Sequence, residues 1–393
     1  MRILLLVFNQ IEHGTYWRAF HLARILAARQ HQVTLLAVSP SAYLRFRTRT
    51  VHGLHLVETP EAVPRWGRFG WDPWDTLLRC LWLRGRIFDI VHAFEARPVV
   101  IWPALRAQRQ GAKLVMDWAD WFGRGGSVEE RANPLLRTIL RPIETYFEEH
   151  FRTSADGTTV INSFLRERAL GLGVRADTIL LLRNGSQPGS PPPPASLCRQ
   201  RLGLPAASPL IGYSGQIFWR DAQLMAQAFN QLQAMLPGAR LLLAGRFNRP
   251  IESLLTHPAA IIRTGPLTPE QLHLHLAACD ICWLPLCDSG ANRGRWPMKL
   301  NDYMTAGRPV VATAVGDLDE VISAHHLGIT APPRASDLAA HTVALWQQPE
   351  QRELMGQAAR HAAETVFSWE TLGSQLEAFY HHLLARDARP ESA

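Results

Sequence analysis

A lysine and an aspartate three residues apart are the side chains of this sequence best placed to do chemistry. Lys299 and Asp302 lie in the stretch NRGRWPMKLNDYMTAGRPVVATA, residues 292–314. Their spacing predicts that they share one face of a short helix near its start. A lysine there adds a point charge for a diphosphate to the anion site of a helix N-terminus, and a carboxylate one turn on can accept hydrogen bonds from a ribose diol. A solvated ion pair on an ordinary helix is the alternative, and the local pattern does not decide between the two.

Lysine is scarce in this chain, which makes its position informative. Lys113 and Lys299 are the only lysines among 41 Lys and Arg residues, and the formal net charge is +7. The positive charge is spread over single arginines and is not gathered in a tail. Such a balance favours acidic partners, namely phosphorylated small molecules, an anionic membrane surface or nucleic acid.

Two aspartates follow a predicted strand in the first half of the chain. Asp117 and Asp120 belong to the sequence DWADWFG, directly after the apolar run 114–116. Ligands of open α/β sheets bind at the carboxyl ends of the strands, so these carboxylates are predicted to lie at a site. Either one could orient or deprotonate an acceptor hydroxyl, with a pKa raised by desolvation. Capping of the following helix is the structural alternative.

Short apolar strands alternate with helical stretches along most of the chain. The predicted strands are 3–8, 33–38, 89–93, 114–116, 158–161, 210–213, 241–244, 261–264, 281–284 and 309–312. This alternation predicts an α/β fold with parallel sheets covered on both faces, as two Rossmann-like doubly wound domains facing a central cleft. The proline run 191–194 predicts a semi-rigid linker. The expected division is an N-terminal domain at 1–186, a linker at 187–207, a second domain at 208–366, and a C-terminal helix at 367–393 that packs back on the first domain.

Composition narrows the class of protein. Hydrophobic residues make up 47% and charged residues 19% of the chain, which is typical of a globular protein. No apolar run reaches the roughly 18–20 residues of a membrane span. The N-terminal run 3–8 is followed by Asn9 and Gln10, so it indicates a buried strand better than a signal peptide. We expect a cytoplasmic protein, and its basic charge adds the hypothesis of contact with the anionic inner face of a membrane.

A histidine and cysteine cluster raises the question of a metal. His273, His275, Cys279 and Cys282 are residue types that bind zinc. Cys282 falls in a predicted buried strand, and the two histidines fall on different sides of their helix. We therefore expect no metal site.

The stretch from Pro297 to Val311 resembles the donor-site signature of glycosyltransferase family 4, written P-x-K-x-x-E-Y-M-x-x-G-x-P-V-V. The resemblance implies the two-domain GT-B fold, with the domain at 1–186 on the acceptor side and the domain at 208–366 binding the nucleotide sugar. It also implies a nucleotide-diphosphate sugar as co-substrate with no other cofactor, and no bound metal. It implies that Asp302 holds the ribose hydroxyls and that Lys299 reaches the diphosphate or the sugar. Many members carry a pair of glutamates eight positions apart, and Gly294 stands at the first of these positions.

Other donor contacts are expected on the same grounds. Gly14 matches the glycine of the family's first loop, whose backbone approaches the donor phosphates. Relatives often have an Arg and a Lys at the start of the second domain; Gln216 stands at the Arg position here, and Arg220 is the nearest basic substitute for the Lys. Arg220 would stabilise charge on the departing nucleotide, although a surface ion pair is an equally good interpretation. Arg295, in the loop before the signature helix, completes the expected donor-binding set.

The resemblance also bears on the catalytic carboxylate. Relatives often have a histidine near the strand that ends at residue 116, and Ala119 stands at the closest match. Asp120 and Asp117 are therefore the candidate catalytic residues. His92, in a strand that relatives write D-V-V-H, fits a buried core histidine at least as well as a site residue.

The segment 65–74, RWGRFGWDPW, mixes cations with aromatic rings. It could touch lipid headgroups on the acceptor side or stack on single-stranded nucleic acid, and a structural loop is the default interpretation. Nothing else supports a nucleic-acid partner. The expected partners are the nucleotide-sugar donor, a glycan or lipid-linked acceptor, and an anionic membrane.

These observations predict a metal-independent glycosyltransferase that moves a sugar to an acceptor hydroxyl with retention of configuration, in cell-envelope or glycolipid and polysaccharide synthesis. A nucleotide-sugar epimerase on the same fold is one rival. A non-catalytic binding or scaffold protein is another, because Gly294, Gln216 and Ala119 depart from the family pattern. A nicotinamide oxidoreductase is disfavoured, since no G-x-G-x-x-G follows the first strand.

Overall fold

The structure, a computed structural model, describes residues 1–41, 44–61 and 70–387. The chain divides into two compact units. Unit 1 comprises Met1–Asn184, Gly294–Trp296 and the residues from Trp369 onward, and unit 2 comprises Gly185–Arg293 and Pro297–Ser368. The predicted α/β class with two doubly wound, mostly parallel domains is confirmed.

The described residues of unit 1 form an eight-stranded sheet in the order β3-β4-β2-β1-β5-β6-β7-β8. Its pairs are parallel except for the antiparallel pair of β3 and β4. The strands are β1 (Arg2–Gln10), β2 (Gln32–Val38), β3 (Arg47–Val51), β4 (Leu54–Thr59), β5 (Ile90–Phe94), β6 (Lys113–Trp118), β7 (Gly157–Val160) and β8 (Ile179–Leu181). The middle strands are apolar along most of their length because helices cover both faces.

The helices of unit 1 come from both ends of the chain. They are α1 (Tyr16–Ala28), α2 (Pro73–Trp82), α3 (Pro98–Arg109), α4 (Pro134–His150), α5 (Ser163–Gly171) and, at the C-terminal end, α14 (Trp369–Asp387). Helix α14 packs against α1, and Leu376 and Tyr380 are buried in the same core as Leu22 and Leu26.

Unit 2 contains a six-stranded sheet, formed by described residues, in the order β11-β10-β9-β12-β13-β14. Its strands are β9 (Leu210–Ser214), β10 (Arg240–Ala244), β11 (Ile261–Gly265), β12 (Ile281–Leu284), β13 (Val310–Thr313) and β14 (Gly328–Ala331). Its helices are α6 (Ala195–Leu202), α7 (Trp219–Met235), α8 (Pro269–Ala277), α9 (Gly290–Arg293), α10 (Met298–Thr305), α11 (Leu318–Ala324), α12 (Ala335–Trp346) and α13 (Pro349–Glu364). Among the described residues, no helix is both long and apolar enough to cross a membrane.

The segment 187–207 is more structured than the linker that its prolines predict. Helix α6 begins directly after the proline run, and Gly203 ends it in the left-handed conformation, with φ of 64°. The buried Arg199 donates from Nε to the backbone oxygen of Ala278 (2.9 Å) and pairs with Asp280. These bonds tie α6 to unit 2. A second difference is that Gly294–Trp296, predicted within the second domain, belongs to unit 1.

Candidate active site

Unit 2 has a cavity of about 460 Å³ at the carboxyl ends of three parallel strands. Ser214 ends β9, Ala244 ends β10, and the turn after β11 supplies the far wall. Helix α10 closes the cavity with Lys299 and Asp302 from its first turns. The chain order reverses between β9 and β12, and such a switch point is where ligands of open α/β sheets bind. The cavity lining consists of Ser214, Gly215, Ala244, Gly245, Arg246, Pro266, Leu267, Leu272, Met298, Lys299 and Asp302.

Helix α10 is held in place by a buried tyrosine. The Tyr303 hydroxyl accepts a hydrogen bond from the backbone N–H of Ser214 (3.2 Å) and donates to the backbone oxygen of Trp283 (3.2 Å). It therefore ties the helix to the ends of β9 and β12. Gly307, with φ of 63°, lets the chain turn after the helix and enter β13. The signature residues thus form a helix with Lys299 and Asp302 facing the cavity, as their spacing predicts.

Positive charge surrounds one end of this cavity. The Lys299 Nζ lies 5.2 Å from the centroid of the Tyr213 ring, close enough for a cation–π contact that holds the ammonium near β9. Arg246, which follows β10, adds a second cation to the lining. Burial raises the pKa of Asp302 to about 7, and the nearby Lys299 partly opposes that shift. Lys299 and Arg246 can therefore bind a diphosphate, and the Asp302 carboxylate beside them can accept hydrogen bonds from a diol.

Sequence reasoning missed Arg246, because a lone arginine after a predicted strand carries no distinctive signal. Gly245, with φ of 82°, precedes it and leaves the backbone at the end of β10 without a side chain. A nucleotide can approach such bare backbone closely. Gly215, with φ of 70°, has the same role at the end of β9.

Three of the predicted donor contacts, Arg220, Gly14 and Arg295, are not in the described lining of this cavity. Arg220 is exposed on the first turn of α7, and the described lining of the cavity does not include it. Its neighbour Asp221 is buried and accepts hydrogen bonds from the backbone N–H of Cys287 (2.8 Å) and from Asn292 Nδ2 (3.0 Å). Gly14 belongs to unit 1, in the turn between β1 and α1, with φ of 55°. A side chain at Gly14 would collide with Asn9, so this turn requires glycine for a structural reason.

Asp120 lies just beyond the carboxyl end of β6, opposite Arg295 in a backbone bridge. The bridge continues through a hydrogen bond from the Trp121 N–H to the Gly294 oxygen (3.1 Å), and Asn162 Nδ2 donates to the Arg295 oxygen (3.2 Å). Burial raises the pKa of Asp120 to about 6, with the Arg295 guanidinium opposing and neighbouring carboxylates adding to the shift. Arg295, predicted as a donor contact, is therefore the cation beside Asp120 in unit 1.

Asp117 has a different environment from Asp120. It is fully buried, and Arg18 grips both of its oxygens through Nε (3.0 Å to Oδ2) and Nη2 (2.8 Å to Oδ1). Thr159 Oγ1 donates to Oδ1 as well (2.6 Å). Burial alone would raise the pKa of Asp117, but the Arg18 charge and hydrogen bonds bring it below its ordinary value. Of the two predicted carboxylates, only Asp120 combines partial exposure with a raised pKa.

Two buried glutamates beside Asp120 escaped the sequence analysis. Glu95 follows β5 with φ of 69°, a conformation that is strained for a residue with a side chain, and its Oε1 accepts from the Ala119 N–H (3.2 Å). Burial and the charges of Asp120 and Asp117 raise its pKa well above the ordinary value. Glu148 accepts from the backbone N–H groups of Phe122 (2.8 Å) and Gly123 (2.7 Å), which fixes the loop after Asp120.

The remaining candidates belong to the core or lie outside the described residues. His92 is fully buried between Tyr380 (Nδ1 to the hydroxyl, 2.7 Å) and Thr159 (Nε2 to Oγ1, 3.1 Å), and burial lowers its pKa. Cys279 and Cys282 are buried, and the sulfur atoms of both lie beside Gly212 of β9. Of the segment 65–74, residues 65–69 lie outside the part of the chain that the structure describes.

Family models match both halves of the chain. The model described as Glycosyl transferase 4-like domain matches residues 13–185, and the model described as Glycosyl transferases group 1 matches residues 208–348. The chain belongs to the group 1 glycosyltransferase family, of the family 4 type. Asp117 and Asp120 fall within the first match, and the cavity of unit 2 falls within the second.

Two curated relatives of this family member are mannosyltransferases by name. One is the GDP-mannose-dependent monoacylated alpha-(1-6)-phosphatidylinositol monomannoside mannosyltransferase of Corynebacterium glutamicum, 27% identical over 192 residues, which are 47% of this chain and 50% of the relative. The other is the MMP alpha-(1->4)-mannosyltransferase of Mycolicibacterium hassiacum, 27% identical over 146 residues, which are 36% of this chain and 34% of the relative. The matches thus span half or less of each relative's length.

A solved structure supports the fold of this family member over nearly its whole length. Sucrose-phosphate synthase from Thermosynechococcus elongatus superposes with a TM-score of 0.76 over 98% of this chain and 100% of that chain, at 19% sequence identity. The fold is therefore GT-B, as the resemblance implied.

Proposed function

We propose that this chain transfers a glycosyl group from a nucleotide-diphosphate sugar to an acceptor hydroxyl, with retention of anomeric configuration and without a metal ion. The observation that carries the proposal is the cavity of unit 2, where Lys299, Arg246 and Asp302 converge at the ends of β9 and β10. In this proposal Asp302 accepts hydrogen bonds from the ribose diol, and Lys299 and Arg246 neutralise the diphosphate as it leaves. Asp120, in unit 1, orients or deprotonates the acceptor hydroxyl.

The names of the two relatives suggest which donor to test first. Both are mannosyltransferases, and one is GDP-mannose-dependent. The proposal therefore takes GDP-mannose as the first candidate donor. One of the two names contains a phosphatidylinositol mannoside, so a glycolipid or polysaccharide of the cell envelope is the proposed acceptor class.

Replacement of Lys299 by alanine is expected to weaken binding of the matching nucleoside diphosphate by about 1.5–3 kcal/mol, or roughly 10- to 100-fold in Kd. The reason is the loss of a charge-assisted hydrogen bond to the diphosphate. Calorimetry and thermal shift against GDP, UDP, ADP and TDP, with EDTA present and no added metal, measure the effect. The matched control is Lys113→Ala, the only other lysine, which pairs with Asp156 in unit 1 (3.0 Å).

Equal affinity in the wild type and in Lys299→Ala would remove the donor site from α10. If no nucleoside diphosphate binds at all, the scaffold hypothesis replaces the proposed function. Transfer assays with GDP-mannose then test the epimerase hypothesis. A transferase releases free GDP only when acceptor is present, whereas an epimerase needs no acceptor. The anomeric configuration of the product, read by NMR, tests retention.

Binding of GDP-mannose is expected to weaken by about tenfold between pH 8 and pH 6. The pKa of Asp302 is raised to about 7, so the ionised carboxylate that accepts from the ribose diol is the minor form at pH 6. The diphosphate of GDP-mannose is a diester and does not titrate in this range. Calorimetry from pH 5.5 to pH 8.5 measures the profile. Asp302→Asn should bind more weakly at high pH and show a flat profile; a profile that survives this substitution would assign the titration to another group.

A further inference from the structure

Helix α4 of unit 1 exposes apolar side chains and buries charged ones, the reverse of an ordinary surface helix. Its exposed face is formed by apolar side chains, and Leu135 at its start is 69% exposed. Two of its three glutamates, Glu144 and Glu148, are buried instead. A helix on the surface of a soluble domain shows the reverse pattern, with apolar residues inward and charged residues outward. The exposed large apolar residues of α4 are Leu135, Leu136, Ile139, Ile143 and Tyr146.

The buried charges of α4 have specific partners, so the inversion is built into the structure. Glu144 accepts from Arg131 Nη2 (2.8 Å) and pairs with Arg97 (3.2 Å). Glu148 accepts from the Trp118 indole N–H (2.8 Å) and from two backbone N–H groups. Turning the helix to bury its apolar face would expose these carboxylates and break every one of these bonds.

Helix α2 repeats the same inversion. Trp74, Leu77 and Leu81 are exposed, whereas Asp75 and Arg79 are buried and paired with each other (2.9 Å). The Arg79 guanidinium also donates to the backbone oxygens of two residues and to the hydroxyl of Thr59. This helix therefore keeps its charged face inward, where an ion pair and hydrogen bonds satisfy the Arg79 guanidinium.

Aromatic rings connect α4 with α3 and with the residue that precedes the N-cap of α2. The Phe147 ring of α4 lies edge-on to Trp71, just before α2, at 5.2 Å between centroids, and edge-on to Trp102 of α3 at 6.4 Å. Trp102 is itself partly exposed and extends the apolar surface onto α3. We call the exposed residues of the three helices the apolar face. Its members are Trp74, Leu77, Leu81, Trp102, Leu135, Leu136, Ile139, Ile143 and Tyr146.

Exposed arginines lie close in the sequence to the three helices, and we call them the arginine border. Arg84 and Arg86 are exposed directly after α2, Arg109 is exposed at the end of α3, and Arg124 is exposed ahead of α4. The carboxylates nearest to α4 are neutralised, because Glu129 pairs with Arg141 and Glu149 pairs with Arg168. The result is an apolar surface with Trp and Tyr among its members and a cationic border.

We propose that the apolar face docks unit 1 onto an anionic phospholipid surface. Apolar side chains would enter the boundary of the acyl chains, Trp and Tyr rings would lie at headgroup level, and the bordering arginines would contact lipid phosphates. Charge decides against a second copy of the chain as occupant. A twofold interface places each patch against itself, so the arginine borders of two copies would repel one another.

Vesicle flotation tests this proposal on the full chain. The wild type is expected to float with vesicles of phosphatidylglycerol and phosphatidylcholine, and much less with phosphatidylcholine alone. The double variant Ile139→Glu/Ile143→Glu is expected to lower the partition coefficient at least about tenfold, since it places two carboxylates in the apolar face. Leu354→Glu is the matched control, because Leu354 is 65% exposed on α13 of unit 2 and should leave vesicle binding unchanged.

A second variant tests the arginine border with little risk to folding. Arg84→Gln and Arg86→Gln should each lower binding to the anionic vesicles by about fivefold at low salt, and the two together by about 25-fold. Nucleotide binding by unit 2 and the circular dichroism spectrum check that each variant is folded. Equal flotation of the wild type and Ile139→Glu/Ile143→Glu would overturn the proposal. A second outcome would also overturn it: the wild type does not bind anionic vesicles but forms a dimer, and Ile139→Glu/Ile143→Glu dissociates that dimer. The apolar face would then be the interface with a second copy of the chain.

Discussion

Asp120→Asn is expected to lower the rate of glycosyl transfer by about 10²- to 10⁴-fold while leaving donor binding unchanged. The substitution keeps the size of the side chain and the backbone bridge to Arg295 but removes the group that can accept a proton. Because the pKa of Asp120 is raised to about 6, the wild-type rate should also fall as the pH drops below 6, where the carboxylate is protonated. Steady-state kinetics with GDP-mannose and a glycolipid acceptor, from pH 5 to pH 8.5, measure both effects.

The control for this variant is the same chemical change at a solvated position. Asp177→Asn suits this purpose, since its side chain is 60% exposed in unit 1 and makes only surface ion pairs. Transfer by Asp120→Asn within about threefold of the wild-type rate would exclude Asp120 as the acceptor-side carboxylate. Glu95, the neighbouring buried carboxyl group, would then be the next residue to replace.

Asp117→Asn is expected to destabilise unit 1 by about 3–5 kcal/mol, because it leaves the Arg18 guanidinium buried without its counter-charge. Arg18 also donates to the backbone oxygens of Leu182 (2.7 Å) and Arg183 (3.1 Å), so the ion pair ties α1 and β6 to the segment after β8. Urea unfolding followed by tryptophan fluorescence measures the change. The folded-state pKa of Asp117 is lowered, so this stabilisation is present above the ordinary carboxyl pKa of about 4 and is lost as the pH falls below it.

A double replacement tests whether Asp117→Asn destabilises unit 1 because it leaves the buried charge of Arg18 unpaired. Arg18→Met/Asp117→Leu removes both charges, and it should recover much of the stability that Asp117→Asn loses. Asp156→Asn breaks the pair with Lys113, whose side chains are 17% and 25% exposed in contrast to the fully buried Asp117, and should cost less. If Asp117→Asn unfolds at the wild-type urea concentration but loses transfer activity, Asp117 acts in catalysis and the structural interpretation is wrong.

Most of the strands that sequence analysis identified correctly are short runs dominated by apolar residues. The predicted strands 210–213 and 281–284 correspond to β9 and β12, because buried parallel strands carry little else than apolar residues. Strand β3 was missed, since its sequence RTRTV alternates arginine and threonine and it lies exposed at the sheet edge. Strand β14, GITA, is too short and too mixed to show a period.

The residues of the candidate site also differ in whether the local sequence predicts their role. Lys299 and Asp302 could be predicted because one short helix carries both, so their spacing along the chain sets their geometry. The role of Asp117 could not be predicted, since its partner Arg18 is 99 residues away and no local pattern connects them. The inverted helices α2 and α4 show helical periodicity, but periodicity does not say which face turns to solvent. Only the buried partners of Glu144 and Arg79 decide that.

Helix α14 has a consequence for the order in which the chain folds during synthesis. The core of unit 1 contains Trp369, Leu376 and Tyr380, and the buried His92 depends on the Tyr380 hydroxyl for one of its hydrogen bonds. All three aromatic or aliphatic side chains leave the ribosome after the whole of unit 2. Unit 2 can therefore complete its core first, whereas the core of unit 1 stays incomplete until α14 has been synthesised. A chimera that exchanges donor specificity between relatives must accordingly keep α14 with the N-terminal half of the sequence, although the residues of unit 2 lie between them.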